Sequence, residues 1–203
     1  MKKIFPALEE GRLVSDEEFD QIFPESIRAL SDIHWTPLDI ARRAAELLVI
    51  DSTTRVLDVG SGCGKFCLIG ALTTSGQFCG VEQRPHLVQL ARGISEAYEM
   101  KRVEFTECDI RTIDWNQFQS FYLYNPFVEN LYTTDIRVDE SVGFSENSYV
   151  KLVRWVQNEL HNLPLGTRVA TYHGFGGDMP PGYRLVVEEP GGGDFLRLWI
   201  KLF

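Results

Sequence analysis

Three glycines at alternate positions, in Asp58-Val59-Gly60-Ser61-Gly62-Cys63-Gly64, follow the apolar run Arg55-Val56-Leu57. Residues without a Cβ let the chain turn sharply and come close to a ligand, and a helix opening behind them aims its free N–H groups at a polar or anionic group. Further polar groups stand at comparable places: Glu82 ends Gly80-Val81-Glu82, Asp109 ends Glu107-Cys108-Asp109, and Asn125 lies in Tyr124-Asn125-Pro126-Phe127. An ionised carboxylate only accepts hydrogen bonds, so an acid at the end of a second strand suits a vicinal diol such as that of a ribose. Taken singly, each feature has an ordinary explanation: a tight turn, a solvated acid, a proline stop. Their recurrence at successive strand ends points to one ligand site.

Those positions need a scaffold that gathers strand ends, and the pattern supplies one. Apolar runs at 55–59, 77–82, 102–107 and 121–125 alternate with helical patterns at 65–73 and 85–98, the latter with Leu87, Leu90, Ala91, Ile94 and Tyr98 on one face. Between the third and fourth runs only 110–119 is available, enough for a short helix at best. A helix over 145–160 follows, then strands at 168–173, 183–188 and 195–202, the last two separated by Pro190-Gly191-Gly192-Gly193. The alternation predicts a doubly wound α/β fold on a mostly parallel sheet, and the closing pair leaves no room for a helix and predicts an antiparallel edge. Upstream, Ser15-Asp16-Glu17-Glu18 has the capping-box pattern, Pro24 interrupts the run before 26–33, and Thr36-Pro37-Leu38-Asp39 predicts a threonine N-cap for a helix reaching about Val49.

Composition narrows the function classes. The chain has 203 residues, 44% hydrophobic and 24% charged, which suits one globular domain with a small appendage. Its 20 Lys and Arg against 29 Asp and Glu give a net charge of −9, which disfavours a nucleic-acid partner, and the basic pairs are scattered. No apolar stretch approaches the length of a membrane span and Met1-Lys2-Lys3 leads into no apolar signal core, so a cytoplasmic location is expected. Cys63, Cys67, Cys79 and Cys108 form no CxxC pair, which favours packed, reduced thiols and no metal site.

Residues 36–130 resemble the class I S-adenosylmethionine-dependent methyltransferases, a Rossmann-like seven-stranded fold. A dinucleotide-binding oxidoreductase spaces its glycines G-x-G-x-x-G instead, which disfavours NAD. The resemblance implies S-adenosyl-L-methionine as cofactor, with Gly60, Gly62 and Gly64 near its methionine part. It implies Asp58 near the amino group, Glu82 on the ribose, Asp109 accepting from the adenine amine and Ile110 against the ring. Tyr124-Asn125-Pro126-Phe127 resembles the [D/N]-P-P-[Y/F/W] motif of amino methyltransferases, with one proline in place of two. There Asn125 and Pro126 would accept N–H groups so that the nitrogen lone pair faces the methyl group, and the Phe127 ring would flank the acceptor. A similar set also marks the non-SET-domain histone lysine methyltransferases, and Thr36-Pro37 resembles the threonine-proline segment that closes over the methionine end in amino methyltransferases, although a plain helix cap explains it equally.

These implications define the expectation: an N-terminal helical accessory segment at 1–34, a cofactor-binding domain at 35–203, and methyl transfer to a nitrogen of a protein side chain such as lysine or of a small molecule. The alternative is a catalytically silent cofactor-binding regulatory module. His173, after the fifth strand, offers either a base or a hydrogen-bonded structural group. Trp35 and Tyr132 are candidate pocket aromatics, whereas His34, His86 and His161 need no more than surface or capping roles. Lys65 lacks the G-K-[S/T] setting of a phosphate loop, so no ATP site is expected.

Overall fold

The computed structural model describes residues 4–203, except the side chain of Asp135. Seven strands, β1 (Arg55–Val59), β2 (Gln77–Glu82), β3 (Val103–Glu107), β4 (Ser120–Tyr124), β5 (Arg168–Tyr172), β6 (Tyr183–Gly191) and β7 (Asp194–Lys201), form one sheet in the order β3-β2-β1-β4-β5-β7-β6. Strands β1 to β5 run parallel, while β7 pairs antiparallel with β5 and β6. The order reverses between β1 and β4, so their carboxyl ends flank the crevice where open α/β sheets take ligands.

Because side chains alternate across a strand, Val56 and Leu57 enter separate cores on opposite faces. One face carries helices α5 (Leu38–Leu48), α6 (Lys65–Thr73) and α7 (Pro85–Ala97). Four short helices precede them: α1 (Ile4–Glu9), α2 (Asp16–Asp20), α3 (Glu25–Arg28) and α4 (Ser31–His34). Phe5, Phe19 and Phe23 from that segment join the same core as α5 and α6. The other face is covered by α8 (Glu146–Asn162) and by Trp115, which stacks on Phe121 at 4.8 Å. Strands β6 and β7 join through Gly192 and Gly193, whose φ angles of +56° and +90° form a left-handed pair that glycine adopts without steric cost.

Several expected boundaries moved for identifiable reasons. Ser15 caps α2 with the full reciprocal capping box, a contact between near neighbours. Thr36 does not cap α5: its Oγ1 shares a 3.0 Å hydrogen bond with the Tyr122 hydroxyl, and the Leu38 N–H donates instead to Asp16 Oδ1 at 2.8 Å. The 26–33 stretch divides into α3 and α4, and 110–119 holds two 3₁₀ turns, Ile110–Thr112 and Trp115–Gln117, capped by Asp109 and Asp114.

Candidate active site

The glycine loop leaves β1 and folds over the end of β2, with the Gly60 and Ser61 N–H groups both donating to Val81 O. A Cβ on Gly62 would run into the Trp35 ring, and one on Gly64 would lie 2.9 Å from Ala91 Cβ as well as against Phe105. Both glycines also have positive φ, so the cradle excludes side chains twice over. Gly60 is pressed against Pro126 at the tip of β4.

Glu82, buried at the tip of β2, ties the loop down: Oε2 accepts the Gly62 N–H at 3.2 Å, and Oε1 accepts the Gln83 and Arg84 N–H groups at 2.8 and 3.0 Å. Arg84 is buried too. Its guanidinium lies 3.5 Å from Glu82, 2.8 Å from Glu129 and 3.2 Å from Asp139, so one cation faces three carboxylates and holds the segment after β4 over the crevice.

A cavity of about 360 Å³, within the size range of small-molecule sites, opens between these tips. Gly60, Gly62, Glu82, Asn125 and Pro126 line it, joined by Trp35 and Tyr132. Asn125 sits at φ +42°, fixed by its N–H donating to Gly174 O at 2.9 Å. A second hollow of about 590 Å³ adjoins it through the shared walls Asp32, Trp35, Tyr124 and His173; its far side is Asp16, Glu17, Asp20 and Tyr172. At this seam His173 places Nδ1 2.7 Å from Asp194 Oδ2.

Not every expected site residue is gathered here. Ile110 and Phe127 line a separate narrow slot of about 50 Å³ that shares Glu82 and Pro126 with the cavity, and Phe127 is buried in the core on the α8 face, so Tyr124, Trp35 and Tyr132 supply the aromatic walls of the cavity. Asp109 lines none of these hollows. Its carboxylate caps the following 3₁₀ turn and pairs with Arg111 at 2.5 Å, a contact that holds it below the usual carboxylate range. Asp58 lies beneath the loop, where burial pushes its carboxyl up to about 7; the nearby Glu82 adds to the rise and the Cys67 thiol, 3.4 Å away, opposes it. Thr36 is buried on Tyr122, and Gly64 turns into α6 behind the cradle. Arg84, Glu129 and Asp194 carried no motif signal, because each becomes part of the site through partners 45 or 21 residues distant in sequence or more.

Residues 50–127 match a family model described as a methyltransferase domain. A search of curated proteins found no match to the chain. Among solved structures, an RNA methyltransferase from Salinibacter ruber in complex with S-adenosyl-L-homocysteine is 25% identical with a TM-score of 0.59, over 82% of this chain and 93% of that one. A putative O-methyltransferase from Klebsiella pneumoniae shares 14% identity and a TM-score of 0.60, covering 99% of this chain and 97% of the other. TrmN from Thermus thermophilus shares 20% identity and a TM-score of 0.59 over 86% of this chain, which spans 53% of that protein.

Proposed function

From the premise that this chain is an S-adenosylmethionine-dependent methyltransferase, we propose that it methylates nitrogen, that of a protein side chain such as lysine or of a small-molecule amine. One observation carries the choice of acceptor: Asn125 and Pro126 line the same cavity as Gly60, Gly62 and Glu82. An asparagine oxygen and a proline carbonyl accept N–H groups, which leaves the nitrogen lone pair directed away from them and toward the glycine cradle. When bound, S-adenosylmethionine supplies a methyl group already activated by its sulfonium. The chain's own task is to hold, align and exclude water.

The cradle suits that cofactor. Its glycines admit close approach, and Glu82 lines the cavity as an acceptor for a diol while keeping the loop in place. Asp58 is buried beneath the loop and lines none of the hollows, so its charge would act on a cationic amino group through the loop and not by direct contact. Ile110 and Phe127 give the narrow slot beside Glu82 an apolar side, with Gln83, Arg84 and Asn130 on its polar side, the mixed lining that an aromatic base with polar edges uses. The N-terminal segment takes the acceptor side: α2 and α4 provide Asp16, Glu17, Asp20 and Asp32 around the second hollow and α3 provides Arg28, and since Lys65 pairs with Asp16 and Asp20, Glu17 and Asp32 are the acids left to meet a cation. Such a wall, with Trp35, Tyr124 and Tyr172, attracts a cation through charge and ring faces.

The Salinibacter protein favours a second reading, an RNA acceptor, which net charge alone does not exclude. The acidic wall opposes it, because a phosphate backbone binds through cationic contacts. Incubation with methyl-labelled S-adenosylmethionine and cell fractions separated into protein, RNA and small molecules tests the choice. Label is expected on amines of protein or small molecules; label confined to RNA or to hydroxyl groups would refute the proposal. Asn125→Ala should lower transfer at least about a hundredfold with little change in affinity for S-adenosylhomocysteine. Asn125→Gly, which tolerates the φ of +42°, separates the side chain's part from backbone strain. If both variants lose affinity as much as rate, Asn125 serves only the fold.

A further inference from the structure

His173 follows β5 with φ +55°, a backbone region that residues with a Cβ rarely adopt. Two contacts fix it there. The Asn125 N–H donates to the carbonyl of the next residue, Gly174, and Asp194, emerging from the Gly192-Gly193 turn, meets Nδ1 at 2.7 Å. The ring stands 4.4 Å from that of Tyr172 and 5.6 Å from that of Tyr124. A purely structural histidine would be buried with both nitrogens engaged. This side chain is 37% exposed, lines both hollows, and has no hydrogen-bond partner for Nε2 among the described residues.

Building on the nitrogen-acceptor reading, we propose that His173 is a catalytic base whose Nε2 takes a proton from the acceptor, with Asp194 as its positioning residue, and that the acceptor is therefore an alkylammonium. A carboxylate on Nδ1 fixes the tautomer with Nδ1 protonated and Nε2 bare, and it stabilises the imidazolium once formed. An alkylamine is protonated near neutral pH and must lose a proton before its lone pair can attack, whereas an amide or a ring nitrogen has no such proton to lose. The ammonium proton passes to Nε2, and the freed lone pair forms the N–C bond. The C–S bond breaks with its electron pair staying on sulfur, which becomes a neutral thioether. The imidazolium then releases its proton to solvent through its exposed edge, leaving a methylated ammonium as product. The second hollow, which shares His173 with the first, offers the incoming cation Glu17, Asp32 and the rings of Tyr124 and Tyr172.

The test compares wild type, His173→Gly and Asp194→Asn, using labelled S-adenosylmethionine and the amine fraction that wild type labels. Glycine accepts the positive φ and leaves a ring-sized space, so a loss cannot be assigned to backbone strain. His173→Gly should lose about 10²- to 10⁴-fold in transfer and recover part of it with added imidazole, while S-adenosylhomocysteine affinity stays within about threefold. Asp194→Asn should lose at least about tenfold and shift the ascending limb of the pH–rate profile. Asp194 from β7, Tyr172 from β5 and Tyr124 from β4 face the ring, while Asp32 and His34 from α4, Arg84 and Glu129 share the first cavity with it and Asp16, Glu17, Asp20 and Arg28 the second. Nitrogen-15 NMR of the wild type with S-adenosylhomocysteine should show Nδ1 protonated and Nε2 bare. A protonated Nε2, or amine labelling undiminished in His173→Gly, overturns the base alone. Label found only on RNA bases or amides overturns the acceptor class and the base together.

Discussion

Asp58 shows how burial at one residue sets a pH response. Its carboxyl is pushed up to about 7, chiefly by burial, while the unfolded chain releases that proton near 4. Between those values the native state binds more protons than the unfolded one, so this group makes stability fall as pH rises. Asp58→Asn should remove that slope and gain stability over wild type at pH 8 relative to pH 5, by at most about 3 kcal/mol, since only the two pH units between 5 and about 7 contribute. Urea midpoints at the two pH values measure it, and an equal difference at both would show that Asp58 titrates as an ordinary carboxyl. A cationic group bound above the loop favours the ionised form, so S-adenosylmethionine affinity should rise as pH passes through about 7 and stop doing so in Asp58→Asn. At Glu82, the Gln variant should weaken S-adenosylhomocysteine binding by about 1–3 kcal/mol in calorimetry, because the cradle loses the charge that accepts the Gly62 N–H. Unchanged affinity would remove Glu82 from the site. These roles were partly legible: the position of Glu82 in Gly80-Val81-Glu82 indicated a strand-end acceptor, and Arg111, two residues past Asp109, was a local signal that Asp109 would cap the following turn and pair there.

Among the elements, α8 depends on a cap that its own sequence does not contain. The buried Lys201, near the end of β7, donates from Nζ to the carbonyl oxygens of Leu160, His161 and Leu163 at 3.4, 2.5 and 2.6 Å. A cation there adds to the Leu163 N–H and Tyr183 hydroxyl that already donate to Leu160 O, satisfies the His161 and Leu163 carbonyls, and complements the negative end of the helix dipole. Lys201→Met should cost between about 1.5 and 3 kcal/mol, read from the urea midpoint, with faster amide exchange in the last turn of α8. Exchange unchanged in that turn would show that the helix end is held by other contacts. The N-terminal cap at Ser145 was readable because its partner, the Ser148 N–H, is three residues away. The Lys201 cap was not, since sheet order alone brings β7 to that helix end.

For the whole molecule, the decisive tie is Lys65, which is 3% exposed at the start of α6. Its Nζ lies 2.6 Å from Asp16 and 2.7 Å from Asp20, fastening the N-terminal helices to the helix behind the glycine cradle. Removing one member of a buried ion pair typically costs about 3–5 kcal/mol, because the other charge stays buried without compensation. Lys65→Met should lose that much and raise amide exchange through residues 4–34, and Asp20→Asn combined with it should recover part of the loss. Loss without recovery would mean that packing rather than charge sets the tie. Among the described residues no helix is long and apolar enough to cross a membrane.

The alternation of apolar runs with helical periods, the strand-end acids and the alternate glycines depended on near neighbours, so the amino-acid sequence alone determined the α/β class, the antiparallel closing pair and the cradle. Cores on opposite faces of one sheet follow from period-two burial and were likewise foreshadowed. Tertiary structure decided which of those groups meet. It buried Phe127 and Thr36, surrounded Arg84 with three carboxylates, and set Asp194 on His173 across 21 residues of chain. Hydrogen bonds and ion pairs form between whatever side chains the strand order makes adjacent, and no local pattern encodes that adjacency.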